Sequence, residues 1–418
     1  MKEIIERYEY AKKVYAKLGI DTDKAIERIK KIPVSINCWQ GDDVKGFIKN
    51  DQPISGGILV TGNYPGAARN AGELKQDLSK VLSLIPGNHK LNLHAIYVDT
   101  DEEIELNQIE PKHYKGWVEW AKKEGIGLDF NPTLFSHPMY KNGFTLSSSD
   151  ENVRKFWIEH CKKSIEIAEF FAKELNQKCI NNIWIPDGYK DFTVDKYGPR
   201  KRLKESLDEI FSKDYDKSLV LNTMESKLFG IGIEAYTVGS NEFYLSYAVS
   251  RNTGLCMDMG HFHPTEQCSN KVSTVLNFID ELLLHVTRPM RWDSDHVVSL
   301  DDETQEMMSE ILRNNFDDRV HVALDFFDAT INRVAAWVIG TRNVIKALLK
   351  ASLEPTEILK KAELENDLTT RLALLEEQKN YPWVDVWNYY CYKENVPFDE
   401  SWLDEVKKYE KEVLSERV

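Results

Sequence analysis

The chain has 418 residues, of which 42% are hydrophobic, so it can bury a large core and is not intrinsically disordered. Its 54 basic and 68 acidic residues give a formal net charge of −14, which argues against nucleic acids and anionic membranes as partners. No segment approaches the roughly 20 apolar residues that span a bilayer, and the six cysteines are scattered without CxxC spacing. We therefore expect a cytoplasmic protein with reduced thiols.

After a helical pattern over residues 1–30, eight short apolar runs alternate with amphipathic helical patterns. The eight strand candidates are residues 33–39, 91–98, 127–133, 180–186, 219–224, 254–257, 282–286 and 320–326. The clearest helical patterns are residues 70–84, 113–123, 150–175, 202–211, 272–284 and 304–312. Strands that alternate with helices are typical of parallel sheets with right-handed crossovers. Eight such units favour an α/β fold of the closed (β/α)8, or TIM barrel, type.

The domain organisation that we predict is a barrel over residues 1–330, including the N-terminal helices, and a helical extension over residues 331–418. Two half-size α/β domains are the alternative, but no linker-like change in composition supports them. The segment 381–392 is rich in aromatic residues, so the extension is expected to pack on the barrel or in an oligomer interface.

Residues 52–68 are rich in glycine and proline and contain Ile58, Leu59 and Val60. They follow the first strand and would therefore lie over the C-terminal face of a barrel, where active sites form. We interpret them as a mobile lid with an apolar tip. An ordinary surface loop is the alternative.

Carboxylate and imidazole side chains gather at the C-terminal ends of four predicted strands. Such groups are costly in apolar surroundings unless a cation or a partner compensates them. A single histidine or one DxD pair would often have only a structural role, but the combination predicts metal sites. Oxygen and nitrogen donors without a thiolate suit Mn²⁺ or Co²⁺ and tolerate Mg²⁺ or Zn²⁺. The predicted ligands are Glu225, Asp258, His261, His285, Asp293, Asp295 and Asp325.

Other side chains at the same face are candidates for substrate contact or catalysis. His94 ends the second strand, Phe135 follows the third, and Trp184 and Asp187 close the fourth. An aromatic ring at a barrel mouth can pack on the apolar face of a sugar, although core packing would explain it equally well. Lys227 could polarise a substrate oxygen or form a salt bridge with Glu225 or Asp258. Lys227, Asp325 and His94 are the residues that we expect to take part in catalysis.

Long segments of the chain resemble the L-rhamnose isomerase family. The matching segments are residues 223–232, 236–244, 257–266, 283–298 and 324–333. The resemblance implies a (β/α)8 barrel, a homotetramer, and interconversion of L-rhamnose and L-rhamnulose with two divalent cations per subunit. It implies a structural metal held by Glu225, Asp258, His285 and Asp325, and a catalytic metal held by His261, Asp293 and Asp295. Substrate contacts are implied for Lys227, His94 and Trp184.

The resemblance leads to a mechanistic hypothesis in which a metal-assisted hydride shift transfers hydrogen between C1 and C2. A cis-enediol route with a carboxylate base is the competing mechanism. An isomerase of another aldose, a metal-dependent barrel hydrolase and a non-catalytic sugar-binding barrel are the alternative functions. A dinucleotide-binding fold is disfavoured, because the GxGxxA pattern at residues 230–235 has no acidic residue about 20 positions later.

Overall fold

The computed structural model describes residues 2–48, 55–56, 58–290 and 292–417, without the side chains of residues 289 and 292–294. Its strands within these ranges are β1 (Val34–Asn37), β2 (His89–His94), β3 (Gly127–Asn131), β4 (Cys179–Trp184), β5 (Gly188–Tyr189), β6 (Val220–Glu225), β7 (Tyr236–Thr237), β8 (Gly254–Asp258), β9 (Leu282–Val286), β10 (Arg288–Met290), β11 (Trp292–His296) and β12 (Val320–Leu324). Eight of them pair in parallel in the order β1-β12-β9-β8-β6-β4-β3-β2, and β1 also pairs with β2 to close the ring. The predicted (β/α)8 barrel is therefore confirmed. The pairs β5–β7 and β10–β11 form two small antiparallel sheets.

Several helices begin at residues whose side chains accept hydrogen bonds from the free backbone amides of the first turn. Asp150, for example, accepts a hydrogen bond from the Asn152 amide at the start of the longest helix, and Asn176 ends that helix in a left-handed conformation. No helix in the described residues combines the length and apolar character that crossing a bilayer requires. The helices are α1 (Lys2–Ala16), α2 (Thr22–Lys30), α3 (Ala71–Leu82), α4 (Lys115–Glu124), α5 (Glu151–Leu175), α6 (Tyr197–Phe211), α7 (Asn241–Arg251), α8 (Ser269–Leu276), α9 (Asp302–Arg313), α10 (Arg333–Ser352), α11 (Thr356–Leu364), α12 (Leu368–Glu377), α13 (Trp383–Lys393) and α14 (Ser401–Glu412).

The helix predicted over residues 272–284 is wrong in its second half. Helix α8 ends at Leu276, and the apolar run that begins at Leu282 is strand β9, which pairs with β8 and β12. The Arg319 guanidinium donates to the carbonyl oxygens of Leu276, Ile279 and Asp280, so it caps the helix and fixes the turn into the strand. A short apolar run buried on both faces carries no periodicity that separates helix from strand, so tertiary pairing decides.

The barrel interior is filled in layers, because alternate residues of each strand point inward. The middle layer is apolar and consists of Ile180, Leu221, Cys256, Leu283 and Ala323. Two residues further along their strands, the inward positions are polar, and these positions form the candidate site described below. The apolar layer thus supports the polar layer from beneath.

The aromatic segment of the C-terminal extension packs on the N-terminal helix α1. The Tyr389 ring stacks on Tyr8 with ring centroids 3.7 Å apart, and Tyr381 meets Tyr15 edge to face. Helix α12, in contrast, has no buried residue within the single chain.

Candidate metal and substrate site

Four side chains with ligand atoms converge at the C-terminal end of the barrel. Glu225 ends β6, Asp258 ends β8, His285 lies in β9 and Asp325 follows β12. One ligand atom from each lies within 4.8 Å of all the others. The His285 Nδ1 atom is 3.0 Å from Asp325 Oδ2, 3.3 Å from Glu225 Oε2 and 3.7 Å from Asp258 Oδ2. Neighbouring strands of the closed barrel bring the four together although Glu225 and Asp325 are 100 residues apart in the chain.

The donor set and its surroundings fit a divalent cation. Three carboxylates and one imidazole are the donor types that Mn²⁺ and similar cations accept. In the described part of the chain, the buried Asp258 Oδ2 atom has no hydrogen-bond donor. A buried carboxylate oxygen without a donor is unfavourable unless a cation compensates it.

The charges of the cluster are strongly coupled. Burial raises the pKa of Asp258 to about 7, and the nearby Asp325 and Glu225 carboxylates act in the same direction. Burial also opposes the charge of Glu225, but His285 and His261 outweigh it and hold the pKa of Glu225 well below its usual value. Burial opposes protonation of His285 as well, yet Cys256, Glu225 and Asp325 raise its pKa well above 6.5. Opposite shifts in one buried cluster are typical of functional sites.

Hydrogen bonds from neighbouring residues orient the three carboxylate groups of the cluster. The Asn182 Nδ2 atom donates to Glu225 Oε2 at 2.6 Å, and the Thr223 hydroxyl donates to Asn182 Oδ1 at 2.8 Å. The Gly260 amide donates to Asp258 Oδ1 at 2.6 Å. The Trp39 indole donates to Asp325 Oδ1 at 3.1 Å. Such partners fix the direction of ligand atoms, and their loss typically weakens metal binding.

Two of the other predicted ligands, His261 and Asp295, lie beside this cluster. The His261 amide donates to Asp258 O at 3.2 Å in the turn after β8, which places His261 Nδ1 3.2 Å from Glu225 Oε1. Asp295 lies in β11 with a φ of 45°, so the Asp293–Asp295 segment is not a regular extended strand. The Asp293 side chain lies outside the described part of the chain.

A small cavity opens directly above the cluster. Its polar side carries Glu225, His261, Asp295 and Asp325, together with Lys227 and His94. Its remaining wall is largely apolar. The residues that line it are Trp39, Val44, Ile58, His94, Asn131, Phe135, Trp184, Glu225, Lys227, His261, Asp295, Asp325 and Phe327.

All four predicted substrate contacts line this cavity. The Lys227 ammonium lies 4.9 Å from the centre of the Trp184 ring, and Phe135 meets Trp184 edge to face. The His94 ring packs between Trp39 and Phe135, and its Nδ1 atom is 3.2 Å from the Thr133 hydroxyl. Burial lowers the pKa of His94 to about 3, so the ring is neutral near pH 7.

Asp187, in contrast, has a structural role. Its carboxylate accepts four hydrogen bonds from the backbone amides and hydroxyls of Thr145 and Ser147, and so ties the end of β4 to a neighbouring loop. A carboxylate with four donors needs no cation. Asp187 therefore does not line the cavity, although its position just after β4 suggested a role at the barrel mouth.

Sequence reasoning missed several residues of the site. Trp39 ends the first predicted strand, Val44 follows it, and Asn131 lies near the end of the third; these positions were the signal available for finding them. Asn182 lies inside a predicted strand, and nothing about an asparagine at that position distinguishes it from other buried polar residues. Of the predicted lid tip, Ile58 lines the cavity, whereas Leu59 is exposed. Residues 52–54 and 57 of the predicted lid lie outside the described residues.

A larger groove lies between α9 and the helices α11 and α12, away from the barrel mouth. It is wide, open to solvent and lined by charged side chains such as Arg313, Glu354 and Lys379. No group of ligand atoms like that at Glu225 is found in its described residues. The barrel cavity is therefore the candidate site.

A closed barrel with buried carboxylates and imidazoles at the C-terminal ends of its strands defines an α/β-barrel enzyme with its active site in that face. A family model described as "RhaA: L-rhamnose isomerase (RhaA)" matches residues 2–417. The chain therefore belongs to the L-rhamnose isomerase family, which confirms the resemblance seen in the sequence.

Relatives of known name support this membership. The L-rhamnose isomerase of Listeria innocua is 59% identical over 415 residues, which cover 99% of each chain. That of Salmonella gallinarum is 57% identical over 415 residues, again with 99% of each chain covered. Among solved structures, an L-ribulose 3-epimerase is similar with a TM-score of 0.46 and 12% identity, over 73% of this chain and 98% of that chain. The strand pairing described above, not this last likeness, establishes the barrel.

Proposed function

We propose that this chain is an aldose–ketose isomerase that interconverts L-rhamnose and L-rhamnulose. The observation that carries the proposal is the convergence of Glu225, Asp258, His285 and Asp325 beneath the barrel cavity in a chain of this family. The relatives match over 99% of this chain, a range that includes the candidate site, which supports the proposal.

The proposed cofactors are two divalent cations per subunit, with Mn²⁺ as the first candidate and Co²⁺, Zn²⁺ and Mg²⁺ as alternatives. Glu225, Asp258, His285 and Asp325 would hold one of them, and His261, Asp293 and Asp295 the other. When bound, such cations polarise the sugar carbonyl and stabilise negative charge on the neighbouring sugar oxygens.

The side chains of the cavity would bind and orient the sugar. The Lys227 ammonium, held beside the Trp184 ring, would donate to a sugar oxygen. His94 is neutral and buried, so it would offer one ring nitrogen as a hydrogen-bond partner without adding charge. Phe135 and Trp184 would pack on the apolar face of the sugar. Asp325, which borders both the cluster and the cavity, would lie next to the reacting carbons.

The route that we propose is a 1,2-hydride shift. In the direction of ketose formation, the hydrogen on C2 moves to C1 with its electron pair, and the proton of the O2 hydroxyl is transferred to O1. The balance of atoms then requires no external reductant. A cis-enediol route would instead place the C2 proton on a carboxylate, where it can exchange with water.

The apolar wall would receive the methyl group of the deoxy sugar. Val44, Ile58 and Phe327 are apolar residues of the cavity lining. C1 and C2 would lie near the ligands, and the C6 methyl group would pack against these apolar side chains. Closure of the segment around Ile58 over the sugar would exclude water from the reacting carbons.

The test of the activity is ketose formation from L-rhamnose after dialysis against EDTA, with and without added Mn²⁺. Restored conversion on adding the cation supports both the reaction and the metal requirement. Bound cations without conversion of L-rhamnose would redirect the assignment to another aldose and then to hydrolase substrates.

The test of the route is the same reaction in D₂O. A hydride shift leaves C1 of the ketose almost free of solvent deuterium, whereas an enediol exchanges its proton with solvent. Substantial deuterium at C1 would overturn the hydride shift.

The proposed assembly is a cytoplasmic homotetramer in which part of the extension 331–418 lies at a subunit interface. Helices α11 and α12 support this, because Leu364, Leu368 and Leu372 are exposed in the single chain. The six cysteines are all unpaired, as expected in a reducing compartment. Light scattering coupled to gel filtration tests the tetramer, and a mass of one chain would contradict it.

A further inference from the structure

The loop after β1 contains three left-handed residues among four. The φ angles are 64° at Asp43, 60° at Val44 and 69° at Gly46. Glycine adopts this conformation readily, but a β-branched residue does so only under strain. Val44 is buried and its side chain lines the substrate cavity. The strained residue is therefore at the site itself, where strain is commonly maintained by the surrounding structure.

Specific contacts hold this loop in place. The Asp42 carboxylate accepts hydrogen bonds from the Gly46 amide at 2.7 Å and from the Tyr97 hydroxyl at 2.6 Å. The Val44 amide donates to Trp39 O at 3.2 Å. Asp43, which lies between Asp42 and Val44, is held by a different partner.

Arg333, the first residue of α10, binds the Asp43 carboxylate with two parallel hydrogen bonds. Its Nε atom donates to Oδ1 at 2.9 Å, and its Nη2 atom donates to Oδ2 at 2.8 Å. The Arg333 side chain is only 5% exposed, so water screens this pair little. Its remaining Nη1 atom donates to Tyr64 O at 2.5 Å. One buried guanidinium thus joins the backbone next to Val44 to the segment that continues from Ile58.

We propose that Arg333 and Asp43 are positioning residues for substrate selectivity. They hold Val44 in its left-handed conformation, so that its side chain forms part of the wall that meets the C6 methyl group. Neither residue lines the cavity or touches the reacting carbons. This inference rests on the proposed function, because it assumes that L-rhamnose is the substrate.

The experiment compares two sugars that differ at C6. L-Lyxose has the same configuration as L-rhamnose from C2 to C4 but lacks the methyl carbon. The variants are Arg333→Lys, which keeps the charge but loses the two-pronged contact, and Asp43→Asn. kcat and KM are measured for both sugars with Mn²⁺ present, and the melting temperature is recorded for each variant.

The expected result is a loss of selectivity through KM. In both variants kcat/KM for L-rhamnose falls about 10-fold, since a buried methyl group in an apolar pocket contributes about this factor or more. For L-lyxose the change stays within about 2-fold. Val44→Gly accepts a positive φ and removes the methyl groups. It therefore also lowers the ratio of kcat/KM for L-rhamnose to kcat/KM for L-lyxose. Arg333→Lys then adds little in the Val44→Gly background, because the two changes act on one contact.

Arg313→Lys is the matched control. Arg313 binds Glu354 with two hydrogen bonds of 2.7 Å, but between outer helices away from the cavity. This variant should leave the ratio of the kcat/KM values for the two sugars unchanged.

Two results overturn the inference, and they differ from a failure of the proposed function. Equal losses for both sugars in Arg333→Lys and Asp43→Asn would show a general structural role. If the variants are folded and the ratio of the kcat/KM values for the two sugars is unchanged, Arg333 and Asp43 have no role in selectivity. If the unaltered enzyme converts neither sugar, the proposed function fails first and this inference with it.

Discussion

The Asn182 side chain donates a 2.6 Å hydrogen bond to Glu225 Oε2, the same oxygen that faces His285 Nδ1 at 3.3 Å. Asn182 lies in β4 and Glu225 in β6, and Trp184↔Glu225 are register partners in this strand pair. The amide therefore reaches the carboxylate from the neighbouring strand and fixes which oxygen points into the cluster. The Thr223 hydroxyl in turn fixes the amide.

Asn182→Ala should weaken divalent cation binding about 10- to 100-fold, because a ligand carboxylate that loses its orienting partner is less well organised. Calorimetric titration of the EDTA-treated protein with Mn²⁺ measures this. Asn181→Ala is the control, since the Asn181 amide points away from the cluster and donates to Ser164 and Asn222. Equal loss of affinity in both variants would show that general loosening of β4, not orientation of Glu225, is responsible.

Asp258→Asn should stabilise the metal-free protein while removing its response to metal. Asp258 lies with Glu225 and Asp325 within 4.8 Å, and without a cation these closely spaced carboxylates repel one another. The variant relieves part of this repulsion but supplies a weaker ligand. We expect a higher melting temperature than the unaltered protein in EDTA, and a smaller rise on adding Mn²⁺. A lower melting temperature in EDTA would contradict the crowding argument.

The sequence predicted the barrel, and it predicted that four candidate ligands converge at one end of it, because both features are strongly patterned. Eight apolar runs fix the number of strands, and the barrel rule then places polar residues that follow them at one face. Glu225, Asp258, His285 and Asp325 were found in this way, and the structure brings them together. The helix over 272–284 failed because pairing on both sides, not local periodicity, makes Leu282–Val286 a strand.

Residues that act through backbone geometry or long-range contacts could not be found from the sequence. Nothing in the local pattern indicates that Val44 has a positive φ, because its identity disfavours that conformation. Arg333 lies 290 positions from Asp43, so their contact has no signal in a single sequence. Asp187 shows the opposite error, since its place after β4 suggested the mouth while its side chain turns to Thr145 and Ser147.

Lys90→Met should destabilise the fold by about 3–5 kcal/mol, since it leaves the Asp129 charge buried without its partner. The Lys90 Nζ atom lies 2.6 Å from Asp129 Oδ1, and the two side chains are only 8% and 3% exposed. Urea denaturation at a fixed protein concentration measures the change in the free energy of unfolding. Lys80→Met is the control, because its partner Glu405 is half exposed to solvent, so the variant should change stability much less than Lys90→Met. Similar losses in the two variants would contradict the role of burial.

His89→Leu should make the stability of the protein less sensitive to acid. His89 is buried at the start of β2, and burial lowers its pKa from 6.5 to about 4. Between these two values the unfolded chain holds a proton on His89 that the folded chain does not. The stability contributed by the neutral ring is therefore complete above pH 6.5 and is lost as the pH falls towards 4, by up to about 3 kcal/mol. Urea denaturation of the metal-free protein at several pH values between 7 and 4.5 should show a shallower fall for the variant. His263→Leu is the control, since His263 is exposed and its ring bonds to the nearby Thr265, and the variant should keep the original pH dependence. If His89→Leu keeps that dependence as well, another buried group, such as His160, controls the acid response.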